Sequence, residues 1–293
     1  MQTLSRQQWA GLVLLTLIWG VNWPVMKLGV THYPPLSFRA LSMWLGLPVL
    51  ALGLRLQGRA LRVARSDWPE LLKLAAANMF VWHALIIVAV RSLSSGRAAI
   101  LGYSMPIFSA LLGAWIFGNR LVPRAWAGVA AAALGVLLLL WHEFTHLAGS
   151  PAGVAMALMA ALAWAYGTHL LRRTRLQVPT LTICFWMTVM TALLMSLLAL
   201  LFERDQWTLP PTPTGLAILY NAVLIFGLAH AIWYSLARDL PPVASTLSVM
   251  LIPVLGVFSG ALALGEVLHW QDWAAVLLMV LAIASVLWPA RRS

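Results

Sequence analysis

The chain has 293 residues, 62% of them hydrophobic and 9% charged, with 16 tryptophans. Soluble domains are about 45–50% apolar and about 25% charged, so this chain cannot cover itself with polar surface and is expected to be an integral membrane protein. A formal charge of +11 would point a soluble protein toward nucleic acid; here the basic residues fall in short turns between apolar runs, so the expected partner is the lipid bilayer and not nucleic acid.

A spanning helix needs about 20 apolar residues. On that measure the chain divides into ten spans at roughly 8–30, 35–55, 67–90, 94–117, 123–141, 152–171, 179–202, 214–237, 242–264 and 270–289. The expected fold is therefore all-α. The leader MQTLSRQQ runs into the first apolar stretch without a small-residue cleavage site, so it opens a span and is not a removable signal. In that span Trp19, Asn22 and Trp23 are spaced i, i+3, i+4 and share a face. Pro24 has no N–H for the carbonyl of Gly20, which predicts a bend and a hinge at Gly20 and Pro24.

The second and third windows reach full length only if Arg39 and Lys73 lie near span ends and snorkel. For Arg39, attraction of a substrate carboxylate is the alternative. Asn78, Trp82 and His83 share nearly one face of the third span, and Tyr103 lies in the fourth. Trp164 and Tyr166 lie in the sixth and Trp186 in the seventh, beside the single cysteine Cys184. Asn221, His230, Trp233 and Tyr234 lie in the eighth. Polar groups at this depth normally face a bundle interior or a wet cavity. Trp19, Asn22, Asn78, Trp82, His83, Tyr103, Trp164, Tyr166, Trp186, His230, Trp233 and Tyr234 are thus the candidate lining of a binding chamber. For His83 and His230 taken singly, a hydrogen-bonded structural histidine is the plainer expectation.

With the N-terminus inside, fourteen Lys and Arg residues, from Arg6 through the Arg55–Lys73 group to Arg292, fall on the cytoplasmic side. Lys27, Arg91, Arg97 and Arg204 fall outside. The positive-inside rule then places both termini in the cytoplasm. A shift of 147 superposes His83 on His230, Pro106 on Pro253, Gly118 on Gly265 and Trp126 on Trp273, and a shift of 145 superposes Trp19 on Trp164. The expected organisation is two five-helix units, 1–146 and 147–293, inverted because five is odd. Ser109-x-x-x-Gly113 and Gly256-x-x-x-Gly260 predict close packing of spans four and nine.

His142-Glu143-Phe144-Thr145-His146 matches the H-E-x-x-H of zinc proteases. It sits in the connection between the two units, without a third ligand, and reads as a solvated loop. An intramembrane zinc protease is the poor alternative from another functional class. There is no nucleotide-binding loop, no acidic residue at midspan, and no disulfide framework is possible. No metal, cofactor or enzymatic activity is expected.

The run Trp19-Gly20-Val21-Asn22-Trp23-Pro24, Pro35 with Arg39, Pro106 followed by Gly118, and the series Pro253, Gly265, Glu266 resemble the EamA-type branch of the drug/metabolite transporter superfamily. Within it the chain is similar to bacterial aromatic amino acid exporters of the YddG type. In this chain Asn119 stands where the second copy has Glu266. The resemblance implies a multi-pass transporter of the bacterial inner membrane. Its activity would be export of small metabolites, aromatic and other neutral amino acids first, by alternating access, with another metabolite or an amphipathic drug as the alternative cargo. The expected functional unit is a monomer.

Overall fold

Hydrocarbon offers no hydrogen-bond partners, so a chain this apolar must close its backbone bonds within helices. The computed structural model describes residues 6–118, 123–145, 150–230, 232–233 and 242–287, and no strand occurs among them. The first two spans are α1 (Arg6–Thr31) and α2 (Pro35–Leu56). The third is composite: α3 (Trp68–Leu74), a π-helical stretch over Ala75–Phe80, and α4 (Val81–Ser92). The fourth, expected as one rod, is two helices, α5 (Ser95–Gly102) and α6 (Met105–Trp115). Pro106 has no N–H to return to the Gly102 carbonyl and is accommodated in the first turn of α6, where that donor is not needed, so the break precedes it.

Then follow α7 (Pro123–Thr145), α8 (Pro151–Arg173), α9 (Thr180–Phe202) and α10 (Thr212–Tyr220), which runs into a second π-helical stretch at Asn221–Ala229. The last two are α11 (Pro242–Leu264) and α12 (Trp270–Leu287). Seven segments are long and apolar enough to cross a membrane, and the shorter apolar stretches Trp126–Leu139, Leu251–Leu264 and Trp270–Ser285 fall on the three remaining expected spans. The chain is a multi-span helical membrane protein. The two π-helical stretches correspond under the 147-residue shift, 75–80 falling on 222–227. Gly118 and Gly265, a matched pair, end their spans with φ of 72° and 65°, the left-handed conformation in which a helix C-terminus favours glycine.

One expectation is corrected here. α7 runs on to Thr145, so His142 to Thr145 form the last turn of the fifth span and not a loop, while His146 lies outside the described residues. No group of three or more His, Cys, Asp or Glu able to hold a metal occurs among the described residues.

Contacts run mainly between the two halves. α1 packs on α11 and the eighth span, α2 on the eighth and seventh spans, α4 on α8, and α7 on α12. Each pairing has its counterpart under exchange of the halves: first span with ninth, sixth with fourth; third with sixth, eighth with first. Spans four and nine pack closely, as expected, through part of the predicted set. A Cβ on Gly256 would lie 2.7 Å from Ala99 Cβ and 3.1 Å from Trp23 Cδ1. Ser109 faces α8 instead, its Oγ 3.1 Å from His169 Nε2.

One end of the bundle is tied shut by charged groups. Glu203, just past α9, accepts from Leu36 N at 2.9 Å, Ser37 N at 2.7 Å and Ser37 Oγ at 2.7 Å, thereby satisfying the N-terminus of α2. Glu266, just past α11, does the same for α5, accepting from Ser95 N at 2.7 Å and Ser95 Oγ at 2.9 Å. Free N–H groups and the helix dipole both favour a carboxylate there. Lys27 Nζ donates to Arg91 O and Leu93 O, at 2.8 and 2.7 Å, at the end of α4. Arg97 pairs with Asp272 at 2.8 Å. Burial first, then the Glu203 carboxylate, raises the Tyr33 phenol above its ordinary pKa, so its hydroxyl stays neutral beside that cap.

Two outcomes are expected. Gly256→Val should lower the thermal stability of the detergent-solubilised protein by about 1–3 kcal/mol of overpacking, because Ala99 has no rotamer with which to yield. Glu203→Ala should cost about 1–3 kcal/mol by stranding two buried donors on α2, and Glu203→Gln, which keeps acceptor capacity, should cost less.

Candidate functional site

A cavity of about 190 Å³ lies within the bundle. α1 contributes Trp19, Asn22, Trp23 and Met26, positions that recur at helical spacing. α2 contributes Arg39, and the third span Asn78, Trp82, His83 and Ile86. Tyr103 and Met105 come from the break in the fourth span, Trp164, Thr168 and Leu171 from α8, and Ile225, His230 and Trp233 from the eighth span. Met26, Arg39, Trp82, His83 and Tyr103 are buried, whereas Trp19, Met105, Trp164, Thr168, Leu171 and Trp233 are half-buried. The cavity is therefore deepest toward the tied end and more open toward the other.

Local backbone features admit these side chains. The π-helical turn at Ala75–Phe80 widens the helix so that Asn78 and His83, five apart, both reach the cavity. Gly167 lets α8 lie directly against the Asn78 backbone, where no Cβ would fit, and Asn78 Nδ2 donates to Thr168 Oγ1 at 3.5 Å. Gly102 makes room for Trp23 and Trp82, whose Cη2 atoms would lie 2.8 and 3.3 Å from a Cβ there. The walls are ring pairs: Trp19 with Trp233 at 5.6 Å, Trp82 with Trp164 at 5.2 Å and Trp23 with Tyr103 at 6.1 Å between centroids. Trp19 and Trp164, matched by the 145-residue shift, both line the cavity, each against a tryptophan of another span, the first tilted at 53° and the second edge-on at 62°.

Nine of the twelve candidate residues line the cavity. Tyr166 does not: two residues from Trp164 it points to the opposite side of α8, where it borders a surface groove with Leu162 and Leu85. Trp186 does not either. Six residues into α9, it packs on Trp68 at 4.9 Å and donates from Nε1 to Leu61 O at 2.7 Å, an anchor near the span end. Tyr234 lies outside the described residues.

The two histidines differ. His230 Nδ1 lies 2.6 Å from Ile225 O; a carbonyl only accepts, so Nδ1 carries the proton and this ring is a structurally bonded histidine. His83 is 4% exposed, and neither ring nitrogen has a hydrogen-bond partner among the described residues. The bond of the plainer expectation is thus seen for His230 and, among the described residues, not for His83. Both rings lie against Phe226, at 5.3 and 5.5 Å.

Arg39 departs furthest from expectation. It does not snorkel. Its exposure is 1%, its Nη1 donates to Asn221 Oδ1 at 3.3 Å and its Nη2 to Met26 Sδ at 2.8 Å. Its guanidinium lies 5.6 Å from the Phe226 ring centroid. The spacing of hydrophobic windows carried no sign of this, because the window only reveals that a charge interrupts a span and not which way it turns. Met26, seven residues after Trp19, was within reach of the helical spacing.

At the presumed hinge α1 is continuous through Pro24. The carbonyl that Pro24 leaves free on Gly20 lies 3.5 Å from Ser259 Oγ, and a Cβ on Gly20 would lie 2.6 Å from Leu255 Cβ. Glycine is thus required there for close approach of α1 to α11.

The model of the EamA-like transporter family matches the chain twice, over residues 8–141 and 151–288. A probable amino-acid metabolite efflux pump of Salmonella typhimurium is 28% identical over 94% of this chain and 93% of its own length. The uncharacterized inner membrane transporter YedA of Escherichia coli is 26% identical over 94% and 89%, and the uncharacterized transporter YoaV of Bacillus subtilis 24% identical over 87% and 88%. A solved crystal structure superposes with a TM-score of 0.69 at 23% identity, over 97% of this chain and 99% of that one, a likeness of fold alone.

Proposed function

The chain belongs to the EamA-like transporter family, and on that premise we propose that it exports small metabolites, aromatic and other neutral amino acids first, by alternating access through the aromatic chamber. As a family member it is a membrane transporter and not an enzyme. The cargo reading is carried by one observation: five tryptophans and a tyrosine line a cavity whose lining, among the described residues, includes no acidic residue. Aromatic walls attract flat apolar side chains by stacking, and a lining without carboxylates favours a zwitterion over a cationic drug. The relatives described as amino-acid metabolite efflux pumps agree with this cargo class.

The exchange of contacts between halves and the two successive family matches support two inverted five-helix units, 1–146 and 147–293. The distribution of Lys and Arg supports cytoplasmic termini in a bacterial inner membrane. In that orientation the tied end is external and the chamber opens toward the cytoplasm, the state in which an exporter loads. Moving to the outward state requires parting Glu203 from α2 and Glu266 from α5, with α1 flexing at Gly20 and Pro24, where Ser259 holds the released carbonyl only at 3.5 Å.

Proteoliposomes containing the purified chain should take up radiolabelled phenylalanine and tryptophan. Trp164→Ala should weaken binding by about 1 kcal/mol or more, roughly fivefold in Kd, while Tyr166→Ala, on the other side of the same helix, should leave it unchanged. Equal losses in both variants, or no uptake of any amino acid in a full panel, would reject the cargo reading. For orientation, in a Cys184→Ser background, cysteines at Ser150 and Ser66 should label from outside and inside respectively.

A further inference from the structure

Arg39 sets a problem of charge that the packing does not solve. A guanidinium carries five N–H donors and remains protonated in proteins. Here one donor meets the Asn221 amide oxygen, one meets a thioether, which is a weak acceptor, and Nε meets nothing among the described residues. No carboxylate of the described residues lies within 4 Å of it, and the acidic groups of the tied end are engaged elsewhere: Glu203 on α2, Glu266 on α5, and Asp272 with Arg97 and His269 N. An isolated charge in a low-dielectric interior is costly.

The unused donors have a direction. Arg39 lines the cavity, as do His83 and Asn22; among the described residues neither His83 ring nitrogen nor Asn22 Oδ1 has a hydrogen-bond partner. The Arg39 guanidinium and the His83 ring both lie on Phe226. A cation and a donor or acceptor imidazole thus meet on Phe226, with an amide in the same lining, in a chamber whose largest other side chains are aromatic.

We infer that Arg39 is the carboxylate subsite of the chamber: the cargo is an aryl or alkyl carboxylate whose anionic group sits on the Arg39 guanidinium while its apolar part lies among Trp19, Trp82, Trp164 and Trp233. The inference rests on the transport reading above and narrows it, since a free carboxylate becomes the obligatory group and the amino group becomes secondary. Planar, two-pronged recognition of a carboxylate is what a guanidinium offers and an ammonium does not. The occupied chamber is then electrically balanced, so Arg39 both selects the cargo and is neutralised by it.

Binding to the full-length chain in detergent, read from tryptophan fluorescence and by calorimetry, tests this with four probes of one aromatic skeleton: phenylalanine, phenylacetate, phenylalaninamide and phenethylamine. The unmodified protein should bind the two carboxylates and bind the amide and the amine more weakly by roughly tenfold or more. Arg39→Gln should erase that discrimination and Arg39→Lys should retain part of it. Equal binding of phenylalanine and its amide by the unmodified protein overturns the inference without any variant, so a misfolded Arg39→Gln protein does not protect it. Failure of both carboxylates to bind also overturns it. Binding of phenylacetate with no binding or transport of any amino acid rejects the amino-acid reading and leaves the carboxylate subsite standing.

Discussion

The structure depends on two carboxylates that close helix ends belonging to the other half of the chain. Glu203 follows the seventh span and caps the second; Glu266 follows the ninth and caps the fourth. A helix N-terminus inside a membrane protein has free N–H groups that lipid cannot satisfy, so these bonds must be made by protein. Making them across the halves turns a local capping requirement into a tertiary tie. Because both ties, the Arg97–Asp272 pair and the Lys27 contacts lie at the same end, that end is closed and the space between the helices is left to widen toward the other.

The chamber follows from what cannot pack in that space. Small residues set where helices touch: Gly256 against Ala99, Gly167 against Asn78 and Gly20 against Leu255. Between those contacts large rings stand apart in pairs at 5.2 to 6.1 Å between centroids, covering the walls with apolar faces. The third and eighth spans each carry a π-helical stretch ahead of their histidine, and His83 and His230 both lie against Phe226. One histidine is held by its own helix and the other is not, so two residues matched by the 147-residue shift differ in the site.

All the buried acidic residues described are used at the closed end, and the buried arginine is used at the chamber. In water such a separation would be of little consequence. In a low-dielectric interior it leaves the carboxylates of the tied end engaged with helix ends and with Arg97, and the Arg39 charge in the cavity without one of them beside it. The same separation makes the closed end and the chamber chemically distinct parts of one transporter.

Much of this was legible in the amino-acid sequence. Span positions follow from apolar length and are a property of the chain against the bilayer, and the helical spacing of Trp19, Asn22 and Trp23 or of Asn78, Trp82 and His83 already grouped them on faces that do line the cavity. What the sequence could not decide is which way a side chain turns when both directions satisfy the same hydropathy. Arg39 could reach a headgroup or the interior, Tyr166 and Trp186 could line the chamber or the periphery, and Glu203 carried no motif at all. Those outcomes depend on which helix lies opposite, at distances set by contacts such as Gly46 on Ala222 and Gly167 on Asn78, more than a hundred residues or tens of residues away in the chain. The spans are determined locally, by burial of backbone and apolar surface; the site is determined by the partners that the packing of those spans brings to each polar group.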